Sequence, residues 1–309
     1  MGVTILARSG ILLVDKPPAM TSHDVVARIR RLSGTRKVGH AGTLDPMATG
    51  LLVLGLNSAT RLLTYLVGLD KEYLGTIRLG SSTMTDDAEG ATVSTSTPAA
   101  VAAITAADVG REVAALTGAI QQVPSSVSAI KVDGKRAYTL ARAGQTVELA
   151  ARQVTILGFD VLRQRQSDGF LDLDVRVECS SGTYVRSLAR DLGAALGVGG
   201  HLTALRRTAI GPFSVAHAAP LVDSDRADLA VGRHLLDPAA VATRLFASYR
   251  LTDDQVVDLA HGKRISVADP GSSGPIAALA PDGRLVGLVQ FDDGVAAPLV
   301  NFPIDEVLA

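Results

Sequence analysis

The chain reads as an α+β protein of 309 residues that ends in a small β module. Three observations carry that reading. From Phe170 to Cys179, the residues Leu171, Leu173, Val175, Val177 and Cys179 alternate with Phe170, Asp172, Asp174, Arg176 and Glu178. This period of two predicts a half-buried, antiparallel strand. Elsewhere apolar residues recur at helical spacing behind a capping hydroxyl, as Val25, Val26, Ile29 and Leu32 do behind Thr21-Ser22. Near the end, Pro281-Asp282-Gly283 separates the apolar runs 276–280 and 285–291, which is a hairpin signal.

In chain order, Ile11-Leu12-Leu13-Val14 predicts a short buried strand, ended by Asp15-Lys16-Pro17-Pro18. The helix behind Thr21-Ser22 is decorated by Arg28, Arg30 and Arg31, and Gly34 is its stop. The next stretch, Gly39-His40-Ala41-Gly42-Thr43-Leu44-Asp45-Pro46-Met47-Ala48-Thr49-Gly50, organises the rest. Three glycines and one proline in twelve residues exclude an ordinary helix or strand. Asp45 precedes Pro46, whose ring pushes it toward an extended backbone, so its carboxylate stands on a stiff loop. Asp-Pro is also a common turn opener. Leu51-Leu52-Val53-Leu54 anchors the loop as a buried strand or helix segment.

Lys71-Glu72-Tyr73 opens a strand with Tyr73, Gly75, Ile77 and Leu79 on one side. Residues 83–90 form a polar loop carrying Asp86, Asp87 and Glu89, without the register of a calcium loop. Residues 94–100 hold few bulky groups and read as a flexible connection. A helix is predicted over 108–116, stopping near Gly118, and a strand over 154–162. A sharp turn at Gly182 leads into a helix with Leu188, Leu192 and Leu196 on one face. After about residue 235 the character changes: Thr252 caps a short helix ending at Gly262, and brief strands follow.

Composition bounds the function. The 47% hydrophobic and 20% charged content fits a soluble globular protein with a sizeable core. No apolar run reaches about 18 residues, so no membrane span is expected. The first residues lack the pattern of a signal peptide, and a cytoplasmic protein is expected. Cys179 is the single cysteine; it falls on the apolar face of its strand and excludes an intrachain disulfide or a cysteine metal site. The formal net charge is −1. Its distribution is uneven: a local +5 over residues 1–65, +4 over 131–165 and −5 over 245–309. A polyanion would therefore dock on the first two-thirds of the chain.

Gly42-Thr43-Leu44-Asp45-Pro46, with Thr49-Gly50 behind it, resembles the aspartate loop of the pseudouridine synthases, above all the TruB type. The likeness extends to Lys16-Pro17-Pro18 with Thr21-Ser22, to Lys71-Glu72-Tyr73, and to the run from Gln121 to Arg142. It continues in Ser180-Ser181-Gly182-Thr183-Tyr184-Val185-Arg186 and in Leu202-Thr203-Ala204-Leu205-Arg206-Arg207. The resemblance implies a pseudouridine synthase fold, with a mixed, largely antiparallel central sheet flanked by helices. It implies a catalytic domain over 1–235 and a PUA-like C-terminal domain over 245–309.

The implied reaction converts uridine 55 in the T-loop of tRNA to pseudouridine by base flipping, without a cofactor, a metal or a guide RNA, in a monomer. Asp45 would be the nucleophile. Tyr73 would face the uracil as stacking partner and late base, and Arg186 would pair with Asp45. Tyr184 would pack on the flipped base, Leu205 would line the pocket, and His40 would wedge into the vacated space. Lys131 and Lys135 would meet phosphates. Lys16 would brace the aspartate loop or contact a phosphate.

The residue types suit that chemistry. Exchanging a C–N for a C–C glycosidic bond neither adds nor removes atoms, so it requires an ionised nucleophile, room for the base to turn, and exclusion of water. A guanidinium keeps a buried carboxylate ionised. Three other readings share parts of the pattern. They are a tRNA-binding or tRNA-folding protein with secondary catalysis, a guide-dependent relative acting on ribosomal RNA, and a glycoside hydrolase. The last wants a second carboxylate about 5–10 Å from the first.

Overall fold

The computed structural model describes residues 8–125, 131–132, 135–136, 149–221, 230–267 and 274–303. By its contacts the chain divides into two compact units, drawn differently from the two expected domains. One is Met1–Asp45 with Leu51–Val67 and Pro212–Ala309; the other is Pro46–Gly50 with Gly68–Gly211.

In the first unit, strand β1 (Gly10–Lys16) buries Ile11, Leu12 and Val14 completely. Helix α1 (Ser22–Ser33) starts where local chemistry dictates. Thr21 accepts the Asp24 N–H, and the Asp24 carboxylate accepts the Thr21 N–H at 2.9 Å, a reciprocal capping box. The Thr21 hydroxyl, which donates to the Asp24 carboxylate at 2.7 Å, and then the Thr21 N–H hold the Asp24 carboxyl below its ordinary range. Gly34, at φ +67°, ends the helix. Strands β2 (Val38–Ala41) and β3 (Thr49–Leu56) pair antiparallel, with His40 opposite Leu54, so the expectation that 39–50 holds no strand is corrected: its two ends are strand, and only 42–48 is irregular. The run 51–54 is therefore a strand, and all four side chains are fully buried.

The C-terminal part of this unit carries its own five-stranded sheet, in the order Ser248–Arg250, Ile276–Leu279, Leu285–Asp292, Val295–Asn301, Ile265–Ser266. The Pro281-Asp282-Gly283 turn joins an antiparallel pair as expected, with Gly283 at φ +91°. Thr252 caps the Asp253–Ala260 helix.

The second unit is built on β4 (Lys71–Leu79). Behind it come helix α2 (Ala106–Ala115), strands β5 (Gly118–Gln122), β6 (Arg152–Ser167) and β7 (Phe170–Cys179), helix α3 (Val185–Ala195) and strand β8 (Gly200–Ile210). The strand order is β8-β4-β7-β6-β5, and each neighbouring pair is antiparallel. Thr49 and Gly50 add one parallel rung beside Arg206 and Arg207, which makes the sheet mixed but largely antiparallel. That rung needs a glycine. Gly50 sits at φ +101°, and a Cβ there would lie 2.2 Å from the Arg207 carbonyl oxygen.

The alternating run 170–179 is β7, with its apolar set buried and Cys179 among it. Burial pushes the Cys179 thiol up to about 11, so the residue is a packing group. Another expectation is corrected. Residues 94–100 are no flexible connection: Thr92–Thr95 is a strand and Pro98–Ala102 a short helix, with Thr97 accepting the Ala100 N–H. A threonine cap followed by proline at the first helical position outweighs the lack of bulky side chains. Among the described residues, no helix is long and apolar enough to cross a membrane.

Candidate active site

The first unit presents Asp45. The residue lies in the segment between β2 and β3, half-buried, with Pro46 exposed behind it. Its loop is braced from the start of α1. The buried Ser22 hydroxyl donates to the Leu44 carbonyl at 3.1 Å and accepts the Leu44 N–H at 2.9 Å. The residue before Asp45 is thus pinned on both sides of its peptide by one serine. Gly42, at φ +84°, supplies the bend that lets the chain enter this segment.

His40 is half-buried on β2, its ring edge-on to His23 with centroids 5.7 Å apart. Lys16 is fully buried, and its Nζ donates to the carbonyls of Pro17 at 3.0 Å and Met20 at 2.7 Å. An ammonium so enclosed braces the turn into α1. The phosphate contact considered for Lys16 is corrected accordingly.

The second unit presents the arginine and the aromatic groups. Gly182, at φ +87°, turns the chain out of β7, and Tyr184 stands at the N-cap of α3. Arg186 follows in the first turn. Its guanidinium is buried: Nη1 donates to the Thr85 carbonyl at 2.8 Å and to Ser125 Oγ at 3.2 Å, and lies 3.4 Å from an Asp87 carboxylate oxygen. Both side chains of that ion pair are nearly closed to solvent, at 4% and 5% exposed. Asp87 also accepts the Thr85 hydroxyl at 2.5 Å and the Glu89 N–H at 3.0 Å.

One turn further along α3, Arg190 lies 3.3 Å from Asp86, donates to Asp191 at 2.9 Å and to the Val123 carbonyl at 2.7 Å. Burial pushes the Asp86 carboxyl up, against the pull of Arg190, a Ser125 hydrogen bond and Arg186. The acidic loop is therefore the counter-charge of two arginines spaced four residues apart on one helix face. No group of three or more metal-ligating side chains occurs among the described residues.

Tyr73 and Leu205 lie on neighbouring strands, and both side chains are buried. Tyr73 is in register with Arg207, and Leu205 with Gly75. Tyr184 is half-buried, with the Arg152 guanidinium carbon 5.5 Å from its ring centroid. Lys131 and Lys135 belong to a two-stranded ribbon, Lys131–Val132 against Lys135–Arg136. Residues 126–130, 133–134 and 137–142, which hold the rest of the expected RNA-facing motif, lie outside the described residues.

Asp87, Ser125 and Gln122 were not singled out in the sequence as partners of the site. The available signal was the pairing of Arg186 and Arg190, spaced one helical turn apart, with two adjacent acids elsewhere in the chain.

Comparison with known proteins identifies the family. Three family models match in succession. The TruB family pseudouridylate synthase N-terminal domain covers residues 30–185, the tRNA pseudouridylate synthase B C-terminal domain 186–231, and the tRNA pseudouridine synthase II C-terminal domain 246–303. The chain is 60% identical over 301 residues to tRNA pseudouridine synthase B of Leifsonia xyli subsp. xyli, covering 97% of this chain and 98% of that protein. It is 54% identical to the protein of the same name from Thermobifida fusca, covering 95% and 98%. Among solved structures, a chain of a Cbf5-Nop10-Gar1 complex superposes with a TM-score of 0.70 at 25% identity, covering 96% of this chain and 86% of that one. This chain, with its pseudouridine synthase fold, belongs to the TruB family of pseudouridylate synthases and is an isomerase of that kind.

Proposed function

We propose that this protein isomerises uridine 55 in the T-loop of tRNA to pseudouridine, with Asp45 as nucleophile and no cofactor. The tRNA substrate rests on the full-length likeness to proteins named tRNA pseudouridine synthase B. The observation that carries the mechanism is the Asp45 loop: a half-exposed carboxylate ahead of a proline, its preceding peptide pinned by Ser22. A nucleophile must be presented and immobile at once, and this loop is both.

The target base lies inside the RNA fold and must be flipped out, at a cost of a few kcal/mol. Stacking on Tyr73 and Tyr184 offsets this, at about 1–3 kcal/mol per base. His40 fills the vacated space, and Leu205 lines the pocket. Arg186 pairs with the Asp45 carboxylate and fixes its orientation, while Asp87 balances the guanidinium from behind. Asp45 attacks and the N1–C1′ bond breaks; the uracil turns, a C5–C1′ bond forms, and the bond to the Asp45 carboxylate breaks again. The C5 proton then leaves to Tyr73 acting as base, and N1 carries a proton in the product, so atoms and electrons balance. Lys131 and Lys135 meet phosphates of the T-arm. Residues 1–235 form the catalytic domain and 245–309 the PUA-like module, in a cytoplasmic monomer.

The test is incubation of the purified chain with a T-arm minihelix tritiated at uridine C5. Tritium release at the wild-type rate and none above background from Asp45→Asn is the expected result. Release from Asp45→Asn would remove Asp45 as nucleophile. Activity appearing only after a guide RNA is added would favour the guide-dependent reading.

A further inference from the structure

Gln122 is the last residue of β5, and its side chain is completely buried. Its amide makes two bonds to one distant residue. Nε2 donates to the Tyr184 carbonyl at 3.1 Å, and Oε1 accepts the Tyr184 N–H at 2.8 Å, across 62 positions of sequence. The side chain thus does for Tyr184 what a neighbouring strand's peptide does for a strand residue. Tyr184 needs this. It occupies the N-cap of α3, where a Ser, Thr, Asp or Asn would satisfy a helix N–H, and its own side chain makes no such bond. Its carbonyl also accepts the Leu188 N–H at 3.3 Å, so Gln122 grips the peptide from which the helix starts.

The register of β5 against β6 puts Arg152 directly opposite Gln122. Arg152 is the residue whose guanidinium covers the Tyr184 ring. One cross-strand pair therefore holds one tyrosine at both ends: Gln122 on its backbone, Arg152 on its ring. Arg186 lies two residues further on, within the first turn of the same helix.

We propose that Gln122, aided by Arg152, is a positioning residue for the isomerisation. It sets the backbone of Tyr184, and through it the direction in which α3 delivers Arg186. The inference rests on the functional reading above. A misplacement of about 1 Å in such a group costs roughly a hundredfold in rate, so the clamp acts on the chemical step rather than on RNA affinity.

The experiment uses the full-length chain and a tRNA transcript, with single-turnover rates, tRNA dissociation constants and melting curves for each variant. Gln122→Met keeps the volume and removes both bonds. Its rate falls about 10- to 100-fold while its tRNA dissociation constant stays within about threefold of wild type. Gln122→Glu supplies the readout that general loosening would not move. A neutral carboxyl repeats the amide's pattern, accepting through C=O and donating through O–H. An ionised one has no donor and faces the Tyr184 carbonyl.

The ratio of the Gln122→Glu rate to the wild-type rate therefore rises as pH falls. Taking the ratio divides out titrations common to both proteins. The charged neighbours are Arg152 across the ladder and Arg190 on the next residue's carbonyl. Should Gln122→Met fold poorly, the ratio still decides the question. A flat ratio, or a folded Gln122→Met within twofold of wild type, overturns the positioning role. A wild-type chain that forms no pseudouridine overturns the functional reading instead.

Discussion

Two loops of this protein carry an aspartate of consequence, and they treat it in opposite ways. Asp87 is enclosed: a hydroxyl at 2.5 Å, a backbone N–H at 3.0 Å and a guanidinium at 3.4 Å converge on it, and solvent is shut out. Asp45 is presented: half-exposed, ahead of a proline, on a segment whose neighbouring peptide is fixed by Ser22. A carboxylate whose lone pairs are taken up by donors is a poor reagent and a good fixture. The contrast separates a carboxylate built into the interior from one presented on a loop, and under the proposed function the second is the one that reacts.

The severest test of that contrast is Asp87→Ala. Removing one member of a buried ion pair strands the other, at a cost of about 3–5 kcal/mol. The melting temperature should fall sharply, and product formation with it. A variant that melts and reacts like wild type would show the enclosure to be incidental.

Ser22→Ala probes the presented side. It removes the two bonds on Leu44 and leaves buried backbone groups without that partner, a cost of about 1–3 kcal/mol. The rate should drop several-fold more than tRNA affinity, because the loop loses its brace while the carboxylate remains. Equal losses in rate and affinity would mean that Ser22 supports the fold at large.

The smallest effect sharpens the rule that burial without enough compensation is visible in titration. Lys71 is buried, and desolvation, aided by the nearby Arg207, lowers its ammonium to about 8 despite Cys179 and Asp70. The native value lies below the unfolded one, so between roughly pH 8 and the ordinary lysine range the unfolded chain binds more protons. Stability from this group therefore rises with pH across that window. Lys71→Met should flatten the rise in denaturant midpoint over the same window; an unchanged slope would assign it to another group.

The elements whose causes are local were legible in the sequence. Thr21 and Thr252 cap helices, the alternation from Phe170 to Cys179 is a strand, Gly283 sits in a hairpin turn, and Asp45 stands on an irregular, proline-stiffened loop. The segment around Thr97 misled only because a flexible composition was weighed above a cap-and-proline signal of the same short range.

The sequence alone determined the glycine- and proline-shaped segment on which Asp45 stands, because φ restrictions at glycine and proline act between neighbours. It also supplied the charges that the acidic loop and α3 would need. Only the tertiary structure decided that Asp87 takes Arg186, that Gln122 grips Tyr184 and that Lys16 closes on its own turn. Two of these meetings join residues about a hundred and 62 positions apart. They depend on sheet register and on which faces are buried, and these are set by the packing of the whole chain.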